Sequence, residues 1–428
     1  MRVVSTTLCY PHPARPTQGI FVWRRLREIN RLVPVKVIAP VLWFPGRRGG
    51  NAGSECRDDQ SAEWDRVPQV VRPRMFYLPG VLKRLDAAFY ARAFRAGLAE
   101  EGRVLIDAHF EWPDGVGAWR VAKERQLPFV CTLRGKLVSQ IRHPAKRRMI
   151  REMLLGADAL IAVSRSLAEL ANEVAGRDLG VRVIPNGIDP ALFHRTASPS
   201  ANLPSAEARA ACGWSNDAKY AVCVGHVQEL KGFHNLVEAW PEVRRRIGDA
   251  RLILVGGSVG EAAYERALRS RIERVCTDSG TCGTAVSAVE TQAERPCHRP
   301  IVLAGRVPPE RVATMLNAAD LFVLASRSEG WCNAIAEALA CGCPVVATDV
   351  GGNREIVGEP RLGRLVPPGD REALADGICR GLAAAWDREQ IATIGGRRDW
   401  QQVARECVDV FEETLGRVER VGELRMQN

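Results

Sequence analysis

The chain has 428 residues, of which 46% are apolar, 26% charged and 6% aromatic, so it is too long for one hydrophobic core and too apolar for a disordered, collagen-like or disulfide-scaffold protein. Its net charge of +10 is lopsided: residues 1–190 hold 31 Lys and Arg against 19 Asp and Glu, and the remainder 29 against 31. The first half therefore suits an anionic partner, with nucleic acid, an acidic lipid surface and a phosphorylated acceptor as candidates, unless it is simply basic.

The chain starts MRVVSTTLCYPHP, without the apolar core and small-residue cleavage site of a signal peptide, and no window approaches the roughly 18 apolar residues of a membrane span. Thirteen cysteines with no CxxC pair, the closest being Cys341 and Cys343, fit a reducing compartment. A cytoplasmic protein is expected, peripheral at most on the inner face of a membrane. Short apolar runs at Val3 to Thr6, Val35 to Ala39, Val104 to Ala108, Phe129 to Thr132 and Ala159 to Val163 alternate with stretches of helical spacing, which is the βα pattern of a parallel sheet. The pattern restarts at Tyr220 to Val224 and continues through Leu252 to Val255, Ile301 to Ala304, Leu321 to Leu324 and Pro344 to Ala347.

An α/β chain of two doubly wound, Rossmann-like domains facing a central cleft is predicted. Between the two series, IPNGIDPALFHRTASPSANLPS combines an Asn-Gly turn with prolines and serines, which reads as a hinge. The expected domains are residues 1–198 and 199–390, with a helical segment 391–428 returning to the first. Pro45 to Pro68 and Val275 to Pro300 interrupt the alternation and read as surface excursions, the second as an insertion between two strands.

Ligands of open α/β sheets bind at the carboxyl ends of strands, so residues just after strands carry the functional argument. In LFVLASRSEGWCNAIAEALACGCPVVATDVGGNREIV a strand is followed by a Ser-Arg-Ser-Glu-Gly loop and a helix from Asn333, with Glu329 in the loop and Glu337 on the helix. A carboxylate on so apolar a helix needs a partner, and an Arg or backbone contact would satisfy it as well as a ligand. A glycosidase also uses two carboxylates, but they must flank a scissile bond, which a loop residue and a mid-helix residue do not obviously do.

Those residues resemble the retaining nucleotide-sugar glycosyltransferases of the two-domain GT-B fold, glycosyltransferase family 4 (group 1). The likeness rests on the Glu-x7-Glu pair followed by ALACGCPVVAT, and extends through Ala162-Val163-Ser164, Ile184 to Asp189, Val224-Gly225 and Lys231-Gly232-Phe233. It implies that Glu329 contacts hydroxyls of the donor sugar and Glu337 the two ribose hydroxyls, as bidentate acceptors. Backbone N–H groups of Gly330, Trp331, Cys332 and Asn333 at the helix start would meet the donor diphosphate. It further implies that Lys231 stabilises charge on the leaving diphosphate, although Lys231 is also one of 60 basic residues. Position 226, usually Arg in such proteins, is His226, which delivers charge only when protonated. Backbone near Val307 would help select the base.

In the first half, the resemblance places the loop YPHPARPTQGIFV, with Gly19 at its turn, over donor phosphate and acceptor; taken alone Gly19 is an ordinary turn glycine. His109 with Pro113, Asp114 and Gly115 matches a His-x3-Pro-x-Gly element and is a candidate catalytic group with Glu329 and Lys231. Arg134, Gly135 and Lys136 fall at an acceptor position where relatives often continue with Ser or Thr and Asp; this chain has Lys136 and Leu137. No Asp-x-Asp or metal-ligand spacing is present, so neither metal nor cofactor is expected. No spacing supports a hydrolase triad of Ser164 and His109. The stretch GKLVSQIRHPAKRRMIREMLLGA is basic and partly amphipathic, suited to an anionic membrane surface or to a solvated helix face. No nucleic-acid motif is found.

The expected activity is transfer of a sugar from a nucleoside-diphosphate sugar to a hydroxyl of a saccharide or lipid-linked glycan, with retained anomeric configuration, in cell-surface polysaccharide or glycolipid synthesis. The alternatives are a catalytically weak sugar-nucleotide or anionic-glycan binding protein, and a nucleotide-sugar epimerase.

Overall fold

The computed structural model describes residues 1–13, 15–44, 68–80, 82–98, 103–198, 200–258, 261–278 and 299–426. The expected excursions at Pro45 to Pro68 and Val275 to Pro300 lie almost wholly outside these. The chain divides into two compact units, Met1–Gly187 with Trp400–Asn428, and Ile188–Asp399.

In the first unit the strands β1 (Arg2–Thr6), β2 (Val35–Ile38), β4 (Gln69–Val71), β6 (Val104–His109), β7 (Phe129–Leu133), β8 (Ala159–Ala162) and β9 (Arg182–Val183) form one sheet in the order β4-β2-β1-β6-β7-β8-β9. A separate pair joins β3 (Val41–Trp43) to β5 (Arg74–Phe76). Every residue of β6 is buried, as expected where helices cover both faces. The sequence pattern missed β3, β4, β5 and β9 because two or three residues are too few to show a period. The second unit holds β10 (Lys219–Val224), β11 (Ala250–Val255), β12 (Ile301–Gly305), β13 (Leu321–Leu324), β14 (Val345–Thr348) and β15 (Gly363–Val366), ordered β12-β11-β10-β13-β14-β15. All pairings are parallel. β15 was also missed.

The break after Gly187, rather than near residue 198, has a physical cause. Ile188 donates to the Arg398 carbonyl at 2.9 Å, and Ile188 and Phe193 are buried in the second unit's core. The polar stretch beyond is tied down as well, because Thr196 N–H and hydroxyl both donate to Asn317 Oδ1. The Asn-Gly turn marks the break, and the Pro and Ser residues after it belong to the second unit. The last helix, Trp400–Met426, returns to the first unit. Its Val403, Cys407, Phe411 and Leu415 pack with Val22, Leu26 and Ile29 of the helix Ile20–Asn30.

Candidate functional site

The second sheet reverses its strand order between β10 and β13, the place where open α/β sheets take ligands. Lys231 ends a short turn (Glu229–Lys231) after β10, and Glu329 lies in the loop after β13. Lys231 Nζ donates to Glu329 Oε1 at 2.6 Å, and Ser326 Oγ donates to the same oxygen at 2.7 Å. The lysine side chain is 21% exposed and the glutamate 8%. Burial alone would discharge Lys231, but Glu329 and then Cys332 more than offset it and hold the ammonium well above its ordinary value.

Two glycines bring these loops together. Gly232 has φ +67°, and a Cβ there would lie 1.9 Å from the Ala325 carbonyl oxygen. Gly351, at φ +49°, would put a Cβ 1.8 Å from the carbonyl of Glu329 itself. Neither place admits a side chain. Arg327 N–H donates to the Leu230 carbonyl at 2.9 Å, and Thr348 Oγ1 donates to the Ser326 carbonyl at 2.6 Å.

Gly330 and Cys332 are buried and Trp331 and Asn333 half-buried ahead of the helix Asn333–Ala340, which carries Glu337, also half-buried. The Trp331 indole N–H is buried with no hydrogen-bond partner among the described residues. Burial, then Glu329, pushes the Cys332 thiol up to about 12, so it remains neutral. Val307 is half-buried after β12, and His226 is exposed after β10. Desolvation, then Lys231 and Arg306, holds His226 below the ordinary histidine pKa, so the residue in the usual Arg position is uncharged at neutral pH.

The first sheet reverses between β1 and β6. His109, at the end of β6, is fully buried. Arg134 Nε donates to its Nδ1 at 3.2 Å, while Nε2 faces Ser5 Oγ at 3.0 Å and Asp107 Oδ2 at 3.1 Å. The ring is thus neutral with its proton on Nε2, and burial takes its pKa down to about 4 against the pull of Asp107. Ser5 and Asp107 share one nitrogen, so this is not a hydrolase relay; both ring nitrogens are taken by these neighbours.

Arg134 is itself buried. Its Nη1 donates to Asn186 Oδ1 at 3.1 Å and its backbone N–H to Glu111 Oε1 at 3.1 Å, and Nη2 is buried without a hydrogen-bond partner among the described residues. Burial, then Arg25, takes its pKa down to about 9. Burial opposes ionisation of Asp107, yet His109, Arg25 and Ser5 hold its carboxyl well below the usual range. Gly135 adopts φ +97°, and Lys136 is exposed with Nζ 5.3 Å from the Phe110 ring centroid. Gly19, at φ +71°, precedes the helix Ile20–Asn30.

Sequence reasoning passed over Ser326, Gly351, Asp107 and Glu111, and named Asp114 only as part of the His-x3-Pro-x-Gly element. Ser326 and Gly351 stand in the quoted signature stretch and had no role assigned; Asp107 and Glu111 flank His109 and had none assigned either. The basic stretch is corrected in one respect. In the helix Pro144–Gly156, Ile150, Met153 and Leu154 are buried in the fold, and Arg147, Arg148 and Arg151 are exposed. Its amphipathicity is that of a core-packed helix, with no apolar face left to insert in lipid. Among the described residues no helix is long and apolar enough to cross a membrane, and no group of three or more His, Cys, Asp or Glu could hold a metal ion.

Residues 218–384 match the family model described as glycosyl transferases group 1, and residues 41–192 the model of glycosyltransferase family 4. The chain is a glycosyltransferase of the group 1 type. This group 1 glycosyltransferase is 28% identical over 402 residues to the putative teichuronic acid biosynthesis glycosyltransferase TuaC of Bacillus subtilis, covering 91% of this chain and 90% of TuaC. Its two Rossmann-like domains are those of the GT-B fold. Sucrose-phosphate synthase from Thermosynechococcus elongatus superposes with a TM-score of 0.74 at 21% identity, covering 97% of this chain and 99% of that one. Anabaena HepE, solved in complex with UDP-glucose, superposes with a TM-score of 0.67 at 20% identity over 96% of this chain and 100% of HepE.

Proposed function

We propose that the chain is a retaining hexosyltransferase that moves a sugar from a nucleoside-diphosphate sugar to a hydroxyl of a saccharide or lipid-linked glycan in cell-surface polysaccharide or glycolipid synthesis. The observation that carries this reading is the Lys231–Glu329 pair, 2.6 Å apart at the switch point of the second sheet. Within this pair each charge neutralises the other. A donor would take both: its diphosphate draws Lys231 away, and the freed Glu329 accepts from sugar hydroxyls. Glu337, on the helix that follows, accepts from the ribose hydroxyls, and the backbone of Gly330 to Asn333 meets the diphosphate. The neighbour HepE, bound to UDP-glucose, and the relative TuaC, named for teichuronic acid biosynthesis, support the donor and acceptor classes. No cofactor or metal enters the proposed step.

In that step the bond from the anomeric carbon to the diphosphate oxygen breaks and the acceptor hydroxyl oxygen bonds to the same face. Its proton passes to the departing diphosphate oxygen. Lys231, and His226 once the diphosphate has raised its pKa, stabilise the charge on the leaving group. Arg134, Gly135 and Lys136 line the acceptor end, with His109 setting Arg134. The exposed arginines of the helix Pro144–Gly156 would rest on an anionic leaflet through charge alone.

Calorimetric titration with UDP, GDP, ADP and TDP tests the donor site, followed by the anomeric configuration of the product read by NMR. One nucleotide is expected to bind, with binding lost in Glu337→Ala, and Glu329→Gln is expected to lower turnover sharply. Inverted product, or small and equal effects of the two changes, overturns the assignment.

A further inference from the structure

The loop after β1 and the segment after β6 meet where the first sheet reverses its strand order, between β1 and β6, the position at which open α/β sheets present ligands. One buried side chain joins them. Asp114, 3% exposed, accepts at Oδ2 from the Leu8 N–H at 2.8 Å and from Thr7 Oγ1 at 3.1 Å. Thr7 Oγ1 in turn accepts from the Cys9 N–H at 2.9 Å, which uses both capacities of the hydroxyl. A single carboxylate thus holds three consecutive loop residues.

The hold extends to the turn. Gly19, at φ +71°, lies so close to Cys9 that a Cβ would sit 2.0 Å from the Cys9 carbonyl oxygen, so the position of Cys9 dictates that of Gly19. The Gly19 carbonyl accepts from Val22 and Trp23 at 2.8 and 3.2 Å and starts the helix Ile20–Asn30. Asp114 is fixed in its turn by Gly115, whose N–H donates to the Phe110 carbonyl at 3.0 Å and where a Cβ would meet that oxygen at 2.7 Å and Cys131 Sγ at 2.9 Å.

We infer that Asp114 is a positioning residue for sugar transfer: through Leu8, Thr7 and Cys9 it fixes the Gly19 turn and the start of the first helix in the arrangement that meets the substrates. The part concerning substrates rests on the transferase reading above; the anchoring of the loop does not. The groups facing Asp114 are Glu111 on its own segment, Tyr90 on the helix Asp86–Gly97, Cys131 on β7, Cys9 on the held loop, and Lys136 after β7. Burial takes Asp114 up to about 7, against the pull of the Leu8 N–H and Lys136, so the anchor is a full carboxylate only above neutrality. Glu111 is likewise pushed up to about 7 by burial.

The test uses the full chain with Asp114→Ala, Asp114→Asn and Thr7→Val, reading hydrogen exchange and Cys9 alkylation by iodoacetamide on peptides covering residues 7–19. In the wild type burial pushes the Cys9 thiol up to about 11, and alkylation is expected to be slow. Asp114→Ala is expected to raise the Cys9 rate about tenfold or more, with exchange in β10 to β15 unchanged. Asp114→Asn, which keeps an oxygen acceptor but no charge, is expected to remove the pH dependence of the Cys9 exchange rate between pH 6 and 8 beyond that of the intrinsic chemistry. If Asp114→Ala does not fold, Thr7→Val decides, because it cuts only the bridge to Cys9. Wild-type Cys9 rates in both overturn the anchoring. With the nucleotide sugar found by titration, Asp114→Ala is expected to lower kcat about tenfold or more with donor KM within about twofold. A loosened loop with unchanged kcat overturns the role in transfer while leaving the transferase reading intact, and failure of the wild type to bind any nucleotide strikes that reading alone.

Discussion

Replacing Lys231 with Met removes the cation and leaves Glu329, 8% exposed, with Ser326 as its hydrogen-bond donor. At 2.6 Å and an effective dielectric of about 20 the gross attraction is about 6 kcal/mol. Desolvation of both groups and the 21% exposure of the lysine side chain reduce this to a net coupling of about 2–3 kcal/mol. Lys231→Met is expected to cost about 3 kcal/mol, Glu329→Gln about 1–2 kcal/mol because the ammonium can reach water, and the double variant about 2 kcal/mol less than the sum. Urea unfolding followed by tryptophan fluorescence measures all three; at about 2–4 °C per kcal/mol for a unit of this size, Lys231→Met melts about 6–12 °C lower. The same pair makes Glu329 a competitor of the donor for Lys231. Nucleoside diphosphate binding should therefore weaken about 10- to 100-fold in Lys231→Met and tighten in Glu329→Gln. Additivity within about 0.5 kcal/mol, or equal weakening in both variants, refutes the reasoning.

The low pKa of His226 predicts that nucleoside diphosphate binding strengthens as pH falls below 7, because the bound anion favours the imidazolium. His226→Arg is expected to bind more tightly at pH 7.5 and to lose that pH slope, and calorimetry across pH 5.5–8 checks both. His109 has its pKa lowered to about 4, so between about pH 6.5 and 4 the unfolded chain binds the proton and the folded one does not. Stability from this group is present above pH 6.5 and is lost as pH falls, by about 3 kcal/mol in all. Glu111 and Asp114, raised to about 7, act oppositely over pH 4–7, so the effect is read as the difference between wild type and His109→Gln; a difference flat with pH would sink it. Gly232→Ala is expected to destabilise the second unit by at least about 3 kcal/mol and to weaken nucleotide binding with it, since its Cβ would meet the Ala325 oxygen at 1.9 Å. Wild-type melting in that variant would show the turn to be more pliant than its geometry implies.

Ten central strands were legible because an apolar run of four or five residues between helical stretches has few other uses in a chain of this composition. The pairing of Lys231 with Glu329 was not legible. The two stand 98 positions apart, and only the parallel neighbours β10 and β13 bring their loops together. What the sequence displayed was their address, each just beyond a strand end. The glycines that decide the approach, Gly232 and Gly351, look like any other of the 38 until the opposing carbonyl is known. His109 illustrates the reverse case: it stands at a strand end as a candidate catalytic group, and Asp107 two residues earlier, on the same face of β6, meets its ring. That alternation was present in VLIDAH, where an acid inside an apolar run signals a buried partner.

The basic stretch from Gly135 to Ala157 shows how one pattern serves two ends. Helical spacing of Ile150, Met153 and Leu154 against arginines is what a membrane-surface helix requires, and equally what a helix covering a sheet requires. The distinction is made by what else needs covering. Trp119 packs its ring where a Cβ on Gly156 would come within 2.7 Å and donates to the Gly156 carbonyl at 3.1 Å, and Lys146 lies 5.8 Å from the Trp112 ring centroid. The apolar side is therefore consumed by the fold, and only charge remains outside. An anionic surface held by Arg147, Arg148 and Arg151 would be held at about 1 kcal/mol per residue and released by salt. Wild-type protein is accordingly expected to sediment with phosphatidylglycerol vesicles at low ionic strength and to leave them by about 0.3 M salt. Replacing the three arginines by Glu should abolish the association, and salt-resistant binding would require an apolar contact that this helix does not offer.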